Sequence, residues 1–206
     1  KALEIQLKTI GENHSSTAIS YNSIGSVSYS MGEYDKAIKN HKKALKIRLA
    51  TIGKNHPDTA VSYNNIGSAL YCKGQYSEAI KEHEKALEIQ LKTIGENHSS
   101  TAVSYNSIGS VLYSEGKYDE AIINHKKALK IRLATVGENH PDTATSYYNI
   151  GIVFDSKYKS KYEAIQNYKK SVKILKKVFP SGHPNLEIFK NKLKTCKSKS
   201  KSKSRN

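Results

Sequence analysis

The chain has 206 residues, 37% of them hydrophobic, and 34 Lys or Arg against 18 Asp or Glu give a formal net charge of +16. No run of eighteen apolar residues occurs, which excludes a membrane-spanning helix, and two widely separated cysteines, Cys72 and Cys196, make no disulfide framework, so free thiols in a reducing, cytoplasmic setting are expected. The charge is concentrated: sixteen basic and three acidic residues lie between Asp155 and Asn206, so the remaining three quarters is nearly neutral and attraction to anions belongs to one end.

The sequence opens on Lys1 with no leader, and residues 1–10 repeat the string found at residues 85–94. Both features predict a piece of a longer protein, with residues 1–14 forming the second helix of a truncated preceding repeat. A period follows. The string Gly-x-Asn-His stands at Gly11–His14, Gly53–His56, Gly95–His98 and Gly137–His140, an interval of 42 residues each time. A longer duplication lies over it, since residues 1–60 and 85–144 differ at only eight positions. Fixed self-similarity at this length is the mark of a repeat architecture.

Inside one repeat, Pro57-Asp58-Thr59 reads as a helix start, with Pro where its missing N–H costs nothing and Asp complementing the positive helix end. This first helix runs to about Tyr71, and Lys73-Gly74-Gln75 breaks it. The second helix places Tyr76, Ala79, Ile80, His83, Ala86 and Leu87 at intervals of three and four and ends near Ile94. Gly95 supplies a left-handed cap. Small residues, Gly67, Ala79 and Ala86, mark where the two helices approach closely, and Tyr34, Tyr76 and Tyr118 after each turn are expected in the core. A lone hairpin cannot bury both apolar faces, so copies must stack. The expected fold is an all-α solenoid. Its repeats are 15–56, 57–98, 99–140 and 141–183, the last with an irregular turn at 156–162 where the glycine is lost. A capping helix, 184–197, and a basic Lys/Ser tail, 198–206, complete the chain.

The pattern Tyr63-Asn64-Asn65-Ile66-Gly67, then Gly74-Gln75-Tyr76, Ala79 and Lys85-Ala86-Leu87, resembles a tetratricopeptide repeat. The 42-residue spacing and the Gly-x-x-His-Pro-x-Thr-Ala linkers at Gly53–Ala60 and Gly137–Ala144 are similar to the longer repeats of kinesin light chains. The resemblance implies a right-handed superhelix whose first helices line a concave surface holding a partner's peptide. On that surface it places Asn22, Ser26 and Tyr29, then Asn64, Ser68 and Tyr71, then Asn106, Ser110 and Tyr113, with Tyr148 in the fourth repeat. The lining is uncharged, and Asn offers both a donor and an acceptor to a peptide backbone. Where relatives that hold acidic C-termini carry Lys and Arg, this chain has Ile19, Ser23, Val61, Asn65, Val103 and Ser107, so a low-charge segment is favoured over an acidic C-terminus. The alternative for the Asn row is a bond to a neighbouring helix, and for the Tyr row simple packing.

The histidines His14, His56, His98 and His140 recur one repeat apart, too far to share an ion, and are expected to bond loop backbone, while His41, His83 and His125 fall on an apolar stripe. No metal site or cofactor is expected. Every Ser and His of note is periodic, whereas chemistry needs one distinct constellation, so no catalysis and no small-molecule substrate are predicted. Lys192, Lys194, Lys197, Lys199, Lys201, Lys203 and Arg205 form the basic end. Its expected alternatives are solvated disorder or a weak, salt-sensitive hold on nucleic acid or an acidic membrane surface. The function expected first is an adaptor binding a peptide. An anion-binding module is the alternative, and a purely structural array, able to self-associate end to end, is a third.

Overall fold

The computed structural model describes residues 9, 11, 13–157 and 160–203, with side chains up to residue 198. The expected preceding helix, 1–14, therefore lies almost wholly outside the described residues, as does Arg205. Among those described there are nine α-helices and no strand. By compactness the chain divides into Lys1–Glu96 and Asn97–Asn206. The first unit holds two hairpins, α1 (Ser15–Ser30) with α2 (Tyr34–Thr51) and α3 (Pro57–Cys72) with α4 (Tyr76–Thr93). The second holds α5 (Ser99–Ser114) with α6 (Tyr118–Thr135), α7 (Pro141–Ser156) with α8 (Lys161–Val178), and a last helix, α9 (Pro184–Lys203). Hairpin stacks on hairpin within each unit, the arrangement of an α-solenoid.

The turns explain why the boundaries fall where they do. Gly32, Gly74 and Gly116 take φ of 76°, 76° and 83°, a left-handed conformation that a side chain would strain. Each inter-hairpin loop is closed by two side chains. In the first unit the imidazole Nδ1 of His56 accepts from the Asp58 N–H at 3.1 Å, and Thr59 Oγ1 donates to the Gly53 carbonyl at 2.9 Å. In the second, His140 accepts from Asp142 at 3.1 Å and Thr143 donates to Gly137 at 2.8 Å. The loop histidines thus act as N-caps, satisfying helix-end N–H groups that would otherwise lack partners. His183 caps α9 in the same way, through Asn185 N–H at 3.1 Å.

Between helices of a hairpin the close approach is made by glycine. A Cβ on Gly67 would lie 2.9 Å from the His83 ring, and one on Gly151 would lie 2.7 Å from Tyr168. Ala37, Ala44, Ala79, Ala86, Ala121, Ala128 and Ala164 are fully buried in the same interfaces.

Successive hairpins of a unit are joined by a buried arginine. Arg48 of α2 donates from Nη1 to the Asp58 carbonyl at 2.8 Å and to Ser62 Oγ at 2.8 Å, both on α3. Arg132 of α6 repeats this toward Asp142, 2.9 Å, and Ser146, 2.7 Å, on α7.

Two expectations need correction. Tyr34, Tyr76 and Tyr118 are half buried. Each leans on the tyrosine that ends its first helix, at the open edge of the hairpin, so one flank stays in water. The last helix continues to Lys203, beyond Lys197, because Lys favours helix and no Gly or Pro stops it. After α7, Lys157 takes a right-handed conformation, and the sequence from there to Lys161 has no glycine where the other hairpin turns have a left-handed one.

Candidate functional site

On every first helix one stripe faces outward at intervals of four, three and four residues. In the first unit it is Ile19, Ser23, Ser26 and Ser30 on α1 and Val61, Asn65, Ser68 and Cys72 on α3. In the second it is Val103, Ser107, Ser110 and Ser114 on α5 and Thr145, Asn149, Ile152 and Ser156 on α7, with Ile152 half buried against Ala164, Tyr168 and Cys196. None is charged, and none is buried. Ile19, Val61 and Val103 stand 59%, 40% and 46% exposed, so water meets an apolar methyl group at the head of each of these three stripes.

Within each unit the two first helices are pinned side by side at two points. Asn65 Nδ2 donates to Asn22 Oδ1 at 2.9 Å, and further along the Tyr29 hydroxyl meets Cys72 Sγ at 3.2 Å. The second unit repeats both pins, Asn149 Nδ2 to Asn106 Oδ1 at 2.9 Å and the Tyr113 hydroxyl to Ser156 Oγ at 2.7 Å. Between the pins of the first unit lies a cavity of about 230 Å³ lined by Ser26, Tyr29, Ser30, His41, Asn65 and Ser68. Ser26 and Ser30 donate their hydroxyl hydrogens to the carbonyls of Asn22 and Ser26, at 3.1 Å each.

The Asn row therefore has a structural duty. Asn22, Asn64 and Asn106 hold the Nδ1 of His41, His83 and His125 at 3.2, 2.8 and 3.2 Å. Where Oδ1 already accepts from an Asn65 or Asn149 amide, the imidazole must donate as well, which fixes its tautomer with hydrogen on Nδ1. Burial pushes all three imidazoles down to a pKa of about 4, with a neighbouring arginine adding to the effect at His41 and His125. They are neutral interior groups at neutral pH.

The Tyr row is half buried, with Tyr29, Tyr71 and Tyr113 each packed against the tyrosine that opens the next helix, ring centroids 5.7, 5.9 and 5.5 Å apart. The hydrogen bond to Cys72, together with burial, raises the Tyr29 phenol to about 12. In the fourth hairpin both pairings change character. Tyr148 and Tyr168 stand where the others have Asn and His, ring centroids 5.6 Å apart, and Tyr148 stacks on Phe189 of α9 at 3.9 Å. Asp155 and Lys161 stand where the others have two tyrosines, and they form an ion pair that Lys192 joins at 3.4 Å. Of the basic-end residues, then, Lys192 is tied inward, Lys194 and Lys197 project from α9, and Lys199, Lys201 and Lys203 are described in backbone only.

Two features of this surface go beyond what the resemblance implies, which places Asn65 there but not Asn149. The outward amides are Asn65 and Asn149, one position beyond the Asn row, and the spacing from Val61 and Thr145 carries that signal. In the exchanged pair Asp155 keeps the register of Tyr113, but the extra residue in the 156–162 turn displaces Lys161 from that of Tyr118, which hides the pairing from a 42-residue comparison.

Among the described residues no cluster of three or more His, Cys, Asp or Glu could hold a metal ion, and no helix is long and apolar enough to cross a membrane. Both cysteines are free, Cys72 exposed and Cys196 buried.

A family profile described as tetratricopeptide repeat matches residues 1–50, 16–92, 58–134 and 100–177. No curated protein matches the chain. Among solved structures, BtubC (BKLC) from P. vanneervenii superposes with a TM-score of 0.76 at 18% identity, over 94% of this chain and 76% of that one. A putative kinesin light chain from Podospora anserina with nearly identical repeats gives 0.76 at 21%, over 93% and 90%. The apo form of RapI gives 0.76 at 21%, over 90% and 64%.

Proposed function

Because the chain belongs to the tetratricopeptide-repeat family, we propose that it is an adaptor that holds a peptide segment of a partner protein along the first helices of its hairpins. Repeats of this family generally mediate protein–protein interaction. The observation that carries the finer reading is the outward stripe: sixteen positions, four on each first helix, that water can reach and that include no charged residue. In a chain of which a quarter is charged, a helix face left free of charge suits contact with something other than water. Its methyl groups offer apolar area and its Ser, Thr and Asn side chains offer hydrogen bonds that do not depend on the sequence of a bound backbone. A low-charge segment satisfies both. An acidic C-terminus finds no cation there to hold it.

The Asn row is a poor place to test this, because Asn64→Ala would also strip the partner from His83. Charging the outward stripe leaves the interior alone. Peptides selected from a random displayed library on the intact chain should be uncharged over their bound core. Their affinity, read by fluorescence anisotropy, should change little between about 0.1 and about 0.5 M salt. Ser26→Arg with Ser68→Arg, and Ser110→Arg, should each weaken binding by roughly tenfold. Selection of strongly acidic or basic peptides, or indifference to all three arginines, would dismiss the reading.

A further inference from the structure

Away from that surface, α8 and α9 carry thirteen lysines and two glutamates, Glu163 and Glu187. Between the two helices the second unit opens a cleft of about 430 Å³. Lys176 of α8 and Lys190, Lys194 and Lys197 of α9 line it, with Val172 and Leu193 beneath them. Glu187, also in the lining, is neutralised by an ion pair with Lys190. Lys176, Lys194 and Lys197 meet no acidic side chain among the described residues, so three cations surround an apolar base without local compensation.

The form of the cleft selects among anions. A nucleic acid stacks bases on aromatic side chains or lays phosphates along a basic groove, and it has no aliphatic group for Val172 and Leu193; no aromatic ring lines the cleft. A bilayer needs an apolar face turned outward, and the large apolar side chains exposed on α8 and α9 are Tyr162 and Ile188, one per helix. A polypeptide carries carboxylates and aliphatic side chains a few ångströms apart, and it alone presents both at the spacing of one cleft. We infer that the cleft between α8 and α9 is a second docking site, and that its occupant is an acidic peptide segment with an aliphatic side chain between its carboxylates. This site is independent of the first-helix surface and prefers the opposite charge character.

The experiment is fluorescence anisotropy with the full chain and a labelled peptide of Glu and Leu. Binding should appear, weaken steeply with salt, and fall on the order of tenfold or more in Lys176→Glu with Lys194→Glu. Replacing Glu by Gln, or Leu by Ser, in the probe should each weaken binding. Changing Lys199, Lys201 and Lys203 together to Gln should leave it within about twofold, as should the Ser68→Arg variant, so that loss here and loss at the groove are separable. Helix content by circular dichroism checks that the variants fold, and Lys176→Gln with Lys194→Gln gives a milder pair if charge reversal unfolds the end. Absence of peptide binding, indifference to Lys176 and Lys194, equal binding of the Ser-substituted probe, or tighter binding of oligouridylate RNA or of phosphatidylserine-containing vesicles would each overturn the inference.

Discussion

His41, His83 and His125 are the residues through which acidity reaches the interior. In the unfolded chain an imidazole takes up its proton near pH 6.5, whereas in the fold it resists until about pH 4. Between those values the unfolded state binds more protons, so their contribution is complete above about pH 6.5 and is lost as the pH falls toward 4. Melting temperature should be level above neutrality and drop across that window, and His83→Gln should make the drop shallower. A flat profile from pH 7 to 4 would contradict the buried, neutral assignment. Tyr168 gives the opposite kind of test. Its hydroxyl is buried without a hydrogen-bond partner among the described residues, and burial holds its pKa far above the ordinary phenol range. Removing the oxygen forfeits nothing, so Tyr168→Phe should be neutral or stabilising by up to about 1 kcal/mol in urea unfolding. A loss beyond that size would mean the hydroxyl has a partner. Arg48 and Arg132 illustrate what a sequence conceals. Read as charge, they belong on the surface, yet both are buried and burial lowers their pKa. The available clue was that only three arginines, Arg48, Arg132 and Arg205, occur among 34 basic residues, a usage that suits a planar multi-donor group better than a solvated charge.

At the scale of the helices, the joint between hairpins is more specific than the joint within one. Inside a hairpin, small residues and an imidazole fill space, whereas between α2 and α3 a cation reaches a carbonyl and a buried hydroxyl. Arg48→Ala leaves the Ser62 hydroxyl without its donor and should cost about 2–3 kcal/mol in denaturant unfolding. Arg48→Gln should cost less, because Gln90 occupies the same register on α4 and is also buried. Equal losses would show that an amide cannot stand in for the guanidinium at this joint. The extents of the first three hairpins were legible in advance because each of their turns demands glycine and each of their first helices starts on a His-Pro-Asp-Thr or His-Ser-Ser-Thr signature. The candidate surface was legible only as far as its lack of charge. The duties of Asn22, Asn64 and Asn106 were legible only as the alternative of a bond to a neighbouring helix; the His partner was not, since it lies nineteen positions away. The fourth hairpin was least legible of all, because one inserted residue shifts Lys161 out of register with the tyrosine it replaces while its partner Asp155 stays in register.

Across the whole chain, charge and repetition divide the labour. The nearly neutral part carries the uncharged stripes, and the two last helices carry most of the net charge. A single partner with a low-charge stretch and a separate acidic stretch could use both; binding measured with the linked probe should then exceed that of either alone by the effective concentration of the linker, in the millimolar range for a short one.

The arginine joints also bear on descent. Arg48 with Asp58 and Ser62 is chemically the same fastening as Arg132 with Asp142 and Ser146. Excising residues 57–140 would bring Arg48 to face Ser146 across an unaltered join, and the shortened protein should still unfold cooperatively. A copying slip in the gene by two periods would leave no scar that the fold could detect. Lineages carrying this sequence are thus free to lose or gain such blocks, and related arrays should differ in length by whole periods more readily than by fractions of one.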